Sequence, residues 1–262
     1  MTKISEIINL GMHPFADTFI KKNQLNKSEP VYPLKCYLNH SNYLISNSIE
    51  TDENNRYNLY EYSYTSSNSS YSKKYWKEYA INIIKNFKID KNKKILEIGS
   101  NDGYLLSKFK KVTNKVLGID ASNFMTKLAN KKNIKTLNII FNFNEAKKVK
   151  KKFDSFDLII ANNVLNHSNN PIDFIKGVSK LLSKNGIFVF ELPYWYNLVK
   201  EKKFDQIYHE HVSYLTIKSS YNLLKKNNLE IFNVEKTPYH GGSIRVFSSF
   251  SKKVKMNKVV RS

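Results

Sequence analysis

Two sets of residues in this chain have the types and spacing that chemistry requires. The first is Ile95-Leu96-Glu97-Ile98-Gly99-Ser100-Asn101-Asp102-Gly103, a hydrophobic run ending in a glycine turn with acidic neighbours. Gly99 permits a tight turn after a strand, and Gly103 lets a ligand approach the backbone where the next helix begins. The spacing Gly-x-x-x-Gly is neither the Gly-x-Gly-x-x-Gly of a dinucleotide site nor the Gly-Lys-Ser/Thr of a triphosphate site. A phosphate-free cationic nucleoside, S-adenosylmethionine, suits this looser turn, with Glu97 facing its amino-acid end. Asp120 closes Val116-Leu117-Gly118-Ile119-Asp120, where an acid can accept both ribose hydroxyls. Ser100, Asn101 and the polar strand end Asn162-Asn163 complete the expected cofactor set. The competing reading is a doubly wound domain that binds another nucleotide.

The second set is histidine-centred. His167 follows Asn162-Asn163-Val164-Leu165-Asn166, His209 and His211 flank Glu210, and His240 precedes Gly241-Gly242-Ser243. Methylation of carbon needs a base for a poorly acidic proton and donors for the resulting enolate. Tyr208 as donor, His211 as base and Glu210 to orient it supply those parts. Glu191-Leu192-Pro193-Tyr194 superficially resembles the Asn/Asp-Pro-Pro-Tyr of base N-methyltransferases. It follows a later strand, and Asn162-Asn163-Val164 occupies the expected place, which argues against N-methylation of a base. A His-x-His pair can also bind metal. With no nearby Cys and no third ligand in sequence, no metal is expected.

These residues need a scaffold. Lys94–Ile98, Lys115–Ile119, Leu158–Ala161 and Gly186–Glu191 read as strands. Tyr104–Lys110, Asn123–Lys131 and Pro171–Leu182, the last with Pro at its start, read as helices between them. The alternation predicts an α/β, Rossmann-like fold: a mainly parallel sheet with helices on both faces. Apolar spacing predicts a further helix over Ser72–Phe87. Residues 51–74, rich in Asn, Ser and Tyr, read as a linker or lid. Before them, Leu10–Ala16 reads as a loop and the segment Tyr32–Ile45 as short strands. A helix at Ser219–Lys226 and a strand pair, Leu229–Val234 with Ser243–Ser248, follow the core.

The 262 residues suffice for one large domain with appendages. No stretch reaches the length of a membrane span and no signal-peptide core opens the chain, so a cytoplasmic location is expected. Cys36, the single cysteine, excludes an intramolecular disulfide and a Cys-rich zinc site. The net charge of +21 suits an RNA methyltransferase. Yet only Arg56, Arg245 and Arg261 are arginines, and the lysines are spread along the chain. That pattern reads as compositional bias, and the run Lys147–Lys152 as a solvated helix end. Nucleic acid is not the expected partner.

In the order of its motifs, the chain resembles the bacterial nucleotide-sugar C-methyltransferases of deoxysugar biosynthesis. The resemblance rests on Leu10-Gly11-Met12-His13-Pro14-Phe15-Ala16, Tyr62-Ser63-Tyr64-Thr65-Ser66-Ser67, Glu97–Leu106, and Asn163-Val164 with His167. Its most specific parts are Phe204-Asp205-Gln206-Ile207-Tyr208-His209-Glu210-His211 and His240-Gly241-Gly242-Ser243-Ile244-Arg245-Val246. It implies a class I methyltransferase core acting on the carbon beside the ketone, commonly C-3, of a nucleotide-linked 4-keto-6-deoxysugar. It implies His211 as base, with Tyr208, Glu210 and His167 around the enolate. Tyr62 and Tyr64 would line the sugar pocket, with Tyr194, His240 and Arg245 also on the substrate side.

Two departures accompany the resemblance. The family's N-terminal four-Cys zinc site is missing, with Asn39 and Asn42 standing where the second Cys pair aligns, so no zinc is expected. The N-terminal segment must then hold its shape by packing alone or be mobile. The family's C-terminal α/β domain is also absent or truncated, which marks the chain as a fragment or a shortened homologue. The expected organisation is a degenerate subdomain over 1–50, a lid over 51–70, the cofactor-binding core over 71–195 and a substrate-side segment over 196–262. The alternatives to a sugar C-methyltransferase are an RNA methyltransferase and a non-catalytic cofactor-binding remnant. Oligomeric state is not legible in the sequence.

Overall fold

The computed structural model describes residues 3–16, 22–49, 51–54, 56–57 and 64–250. Its centre is a sheet that has seven strands among these residues: β4 (Ile95–Ile98), β5 (Val116–Asp120), β6 (Thr136–Asn138), β7 (Phe156–Asn162), β8 (Leu182–Pro193), β10 (Glu230–Thr237) and β11 (Ser243–Ser249). Their order is β10-β11-β8-β7-β4-β5-β6. β4 pairs in parallel with both β5 and β7, and β7 in parallel with β8. Only β11 runs antiparallel to its neighbours β8 and β10. The chain order turns back between β4 and β7, and an open parallel sheet takes its ligand at such a reversal, beyond the carboxyl ends of the strands.

Side chains alternate across the sheet and fill two cores. Leu96, Ile98, Ile159, Ala161, Phe188 and Phe190 face one side, Ile95, Leu158, Ile160 and Val189 the other. Helices cover both. α4 (Phe143–Phe153), α5 (Pro171–Leu181) and α7 (Ile217–Lys225) pack on the first face; α1 (Ser70–Asn86), α2 (Tyr104–Phe109) and α3 (Asn123–Lys131) pack on the second. Small polar residues start them. Ser69, Ser122, Asn142, Asn170 and Thr216 each accept a backbone N–H of the first turn. Among the described residues no helix is long and apolar enough to cross a membrane.

A second, antiparallel sheet has the order β1-β2-β3-β9, with β1 (Ile4–His13), β2 (Tyr32–Asn39), β3 (Ile45–Asn47) and β9 (Ser213–Tyr214). Leu34, Cys36, Ile45 and Tyr214 pack there with Ile207 and with Leu198 of α6 (Trp195–Lys200). The turn from β2 to β3 is built from asparagines. Asn39 Oδ1 accepts the Ser41 N–H at 2.9 Å and its hydroxyl at 2.7 Å, and Asn42 Oδ1 accepts the Leu44 N–H at 2.9 Å. The sequence left packing alone or mobility for this segment; in the structure side-chain to backbone hydrogen bonds close its turn as well as packing.

Three further expectations change. Leu10–His13 is strand, not loop: its pairing with β2 survives two register shifts, and Gly11 takes φ +85° within it. Most of β1 is exposed, so the chain offers no alternation there to read. β6 and α4 were not expected as an element pair, since they bury only Thr136, Ala146 and Val149. The core does not stop at residue 195: β10 and β11 complete its sheet, and β9 completes the smaller one.

Candidate active site

The turn after β4 is left-handed at three positions: Gly99 at φ +71°, Asn101 at +50° and Gly103 at +74°. A Cβ on Gly99 would lie 2.9 Å from Val164 Cβ, so the β7 loop closes directly over this glycine. The turn is tied to β5 by the Gly99 and Ser100 N–H groups, both donating to the Ile119 carbonyl. Asp120 ends β5 and accepts the Asn101 N–H at 2.7 Å on Oδ2 and the Ser122 N–H at 2.9 Å on Oδ1. Each oxygen keeps a second lone pair. Burial outweighs those hydrogen bonds and pushes the Asp120 carboxyl up to about 6.

Glu97, Gly99, Asn101, Asp120, Asn162 and Asn163 line one cavity at the sheet reversal, with an empty volume of about 1230 Å³ that is partly open to solvent. Its wall beyond Asp120 is largely apolar, from Ile119, Ala121, Ile139, Ile140 and Phe141. Glu97 is buried, and its Oε2 has no hydrogen-bond partner; Asn162 Nδ2 and Asn163 Oδ1 are likewise unpartnered. Burial, with Asp102 and Asp120 nearby, holds the Glu97 carboxyl well above the usual carboxylate range. A buried acid with one unpartnered oxygen, an acid at a strand end with two spare lone pairs and an apolar slot match a cation, a ribose diol and an adenine. The residues therefore fit S-adenosylmethionine.

Not every expected cofactor residue faces the cavity. Ser100 Oγ is buried against Gly118, where a Cβ would come within 2.5 Å of it. A Cβ on Gly103 would lie 3.0 Å from Ile134 Cβ, so this glycine serves close packing against the end of α3 rather than approach of a ligand.

The same cavity is lined on its far side by Tyr64, His167, Tyr208, Glu210, His211 and His240. His211 Nδ1 lies 2.8 Å from the Gln206 carbonyl, which can only accept, so Nδ1 carries the proton. Nε2 is then the lone-pair nitrogen, and it takes the Tyr208 hydroxyl at 2.8 Å. The Gln206 carbonyl, not Glu210, orients the ring. Burial lowers the His211 imidazole to about 4, so it is neutral at neutral pH. The His167 ring lies 5.1 Å from that of His211, with Tyr57 on its Nδ1 at 3.2 Å and no partner on its buried Nε2. Burial holds His167 neutral too. His240 is buried-neutral as well and sits at φ +48°, beside Tyr64 and Tyr239. His209 faces away, against Phe15 and Tyr32. Among the described residues no group of three His, Cys, Asp or Glu side chains could hold a metal ion.

Two expected substrate residues lie off the cavity. Arg245 is paired across strands with Glu191 and Glu235; its Nε donates to Glu191 at 2.8 Å, its guanidinium lies 4.2 Å over the Tyr79 ring, and both partners Arg245 and Glu191 are buried. It neutralises a core acid. Tyr194 packs on Tyr196 outside the pocket. Tyr62 lies outside the described residues. Sequence reasoning also missed Glu53, Tyr57, Ser66 and Trp76, which line the cavity. Glu53, Tyr57 and Ser66 sit in the polar stretch read as a linker, and Trp76 in a helix read as core. Ser66 N–H donates to Asn101 Oδ1 at 2.9 Å and Asn101 Nδ2 to the Tyr64 carbonyl at 3.0 Å, which lays this stretch on the cofactor turn.

A family model for a methyltransferase domain matches residues 71–234. The chain belongs to this family. Its fold agrees: the magnesium protoporphyrin IX methyltransferase of Synechocystis PCC 6803 with bound SAH aligns at TM-score 0.53 and 14% identity, over 68% of this chain and 83% of that one. An S-adenosylmethionine-dependent methyltransferase from Clostridium acetobutylicum aligns at 0.52 and 15%, over 71% and 94%. The core is thus a class I S-adenosylmethionine-dependent methyltransferase domain. Among curated proteins, the C-methyltransferase NovU of Streptomyces niveus is 30% identical over 59% of this chain and 37% of its own length. A ubiquinone biosynthesis O-methyltransferase of Pelagibacter ubique is 40% identical over 40% of this chain and 47% of its own. The methyltransferase therefore spans under half the length of these two relatives.

Proposed function

We propose that this methyltransferase moves a methyl group from S-adenosylmethionine to the carbon beside the ketone, C-3, of a nucleotide-linked 4-keto-6-deoxysugar. The observation that carries the reading is the Tyr208–His211 pair, a half-buried phenol on a buried imidazole, whose hydroxyl and lone-pair nitrogen meet in the cofactor cavity. Bound at Glu97, Asp120 and the Gly99 turn, the cofactor supplies an electrophilic methyl group.

The residues do the rest. An entering ketone takes the place of the 2.8 Å contact between Tyr208 and His211. His211 Nε2 then removes the proton beside the ketone, and the C–H electron pair becomes the enolate. The Tyr208 hydroxyl and the His167 Nε2–H donate to the enolate oxygen. Burial lowers the His211 imidazole to about 4, which keeps Nε2 unprotonated and able to accept the proton at neutral pH. Glu210, on the same cavity wall, stabilises the imidazolium. The cofactor, held by Glu97, Asp120 and the Gly99 turn, would supply the methyl group to the enolate carbon, and the His211 proton then leaves to solvent. Tyr64 and His240 bound the sugar. The relative named C-methyltransferase supports carbon as the acceptor.

The test is incubation with S-adenosylmethionine and a panel of nucleotide 4-keto-sugars, read by mass spectrometry. Product heavier by one methylene is expected. Salt-dependent RNA methylation with no sugar turnover would replace this reading with an RNA methyltransferase, and cofactor binding with neither product would indicate a remnant.

A further inference from the structure

We propose that Asn47 is a positioning residue for His211, acting on the Tyr208–His211 turn from a strand outside the methyltransferase sheet. The inference rests on the reading of His211 as the base. Asn47 ends β3 and is buried. Its carboxamide Nδ2 donates to two carbonyls of the turn, that of Tyr208 at 3.0 Å and that of His211 at 2.9 Å. Its backbone N–H donates to the Val212 carbonyl at 2.9 Å. One residue thus takes up three carbonyls within five positions of the turn.

The carboxamide is itself aligned from behind. The Tyr214 hydroxyl donates to Asn47 Oδ1 at 3.4 Å and the Cys36 thiol reaches it at 3.5 Å. Burial pushes that thiol up to about 12, so it stays protonated and able to donate. Cys36 on β2, Asn47 on β3 and Tyr214 on β9 form a relay from the small sheet to the histidine turn. Within the turn the His211 N–H donates to the Tyr208 carbonyl at 3.1 Å. The ring is pinned at both nitrogens, by Gln206 and Tyr208. Both pins belong to the backbone segment whose carbonyls Asn47 holds. Without the amide, two buried carbonyls lose a donor, a cost relieved by opening the turn to water. The ring then leaves the Gln206 carbonyl and its single tautomer.

The groups facing the His211 ring are Tyr208 and Glu210 on its own turn, His167 after β7, Tyr214 on β9 and His240 before β11. Asn47→Ala changes the charge of none of these and frees only the Tyr214 hydroxyl and the turn's carbonyls, so in that variant a shift in His211 reports its position and its exposure to water.

The experiment uses the full chain with ¹⁵N-labelled histidine, loaded with S-adenosylhomocysteine, and long-range proton–nitrogen spectra across pH. In the unaltered protein His211 is a single Nδ1–H tautomer at neutral pH. In Asn47→Ala both tautomers appear and the titration midpoint rises by about one unit or more toward that of an ordinary histidine; in Asn47→Asp, which keeps the shape, loses the donor and adds a charge that itself raises the midpoint, the appearance of both tautomers is the readout. Asn47→Gln, which keeps a donor, returns part of the single-tautomer signal. Calorimetric affinity for S-adenosylhomocysteine stays unchanged in all three. A lowered melting temperature with an unchanged His211 tautomer and midpoint would reduce Asn47 to a structural residue and overturn the assignment. Should Asn47→Ala fail to fold, the Asp and Gln variants decide between the same outcomes. The spectra need no sugar substrate, so this assignment and the keto-sugar reading fail separately.

Discussion

Removing the Asp120 carboxylate should weaken cofactor binding strongly and flatten its pH dependence. The two oxygens already accept the Asn101 and Ser122 N–H groups and retain one lone pair each for the ribose diol. A hydrogen bond to a charged group contributes about 1.5–3 kcal/mol. Asp120→Ala loses both ribose bonds, a cost of about 3–6 kcal/mol in cofactor binding, or roughly 150- to 25,000-fold in Kd. Asp120→Asn keeps one oxygen and should lose about half of that free energy, on the order of 10- to 160-fold. The sign with pH follows from the raised carboxyl. Asp120 protonates below about 6, so affinity in the unaltered protein falls as pH drops through that value. In Asp120→Asn this part of the slope disappears, leaving the curve shallower by about one power of ten per pH unit. Titration calorimetry with S-adenosylhomocysteine between pH 5 and 8 measures both effects. Equal affinity of the variant and the unaltered protein at pH 8, or an undiminished acid slope in Asp120→Asn, would refute the assignment.

Three more outcomes are expected. Burial and its acidic neighbours hold the Glu97 carboxyl well above the usual carboxylate range and a bound cation favours its charged form, so ligand binding should release protons as the pH falls toward that raised range; calorimetry in buffers of different ionisation enthalpy detects the release, and Glu97→Gln should abolish the Glu97 part of it. Gly99→Ala places a Cβ 2.9 Å from Val164 Cβ at a positive φ, which should cost about 1–3 kcal/mol of stability by denaturant melting; an unchanged midpoint would contradict the turn geometry. Arg245→Ala strands the fully buried Glu191, so a loss of about 3–5 kcal/mol is expected; a protein as stable as the original, with weakened substrate binding, would instead return Arg245 to the substrate site.

The parallel core was legible because its signals are local. Ile95–Ile98 is buried at all four positions and ends in a glycine that the turn requires, and Asn123–Lys131 carries its own Ser122 cap. The place of Glu97 and Asp120 on the cavity was legible for the same reason: a strand end locates both without knowledge of the partner strands. Arg245 was misread because its environment is set by cross-strand partners, Glu191 and Glu235, at separations of 54 and 10 residues that no periodicity reports. Asn47 and Tyr57 were missed for a related reason. Each meets its histidine turn or ring across more than 100 residues, Asn47 from just beyond the segment read as short strands and Tyr57 from the stretch read as linker. β1 was misread because an exposed edge strand has no buried face to impose alternation.

Proton removal by His211, as proposed, separates from methyl transfer. Incubation with S-adenosylhomocysteine and a nucleotide 4-keto-6-deoxysugar in heavy water, with hydrogen exchange at C-3 followed by mass spectrometry, isolates it. Deuterium uptake at C-3 is expected in the unaltered protein and none in His211→Ala, whose affinity for S-adenosylhomocysteine stays intact. Equal uptake in both, or loss of cofactor affinity together with exchange, would contradict that role.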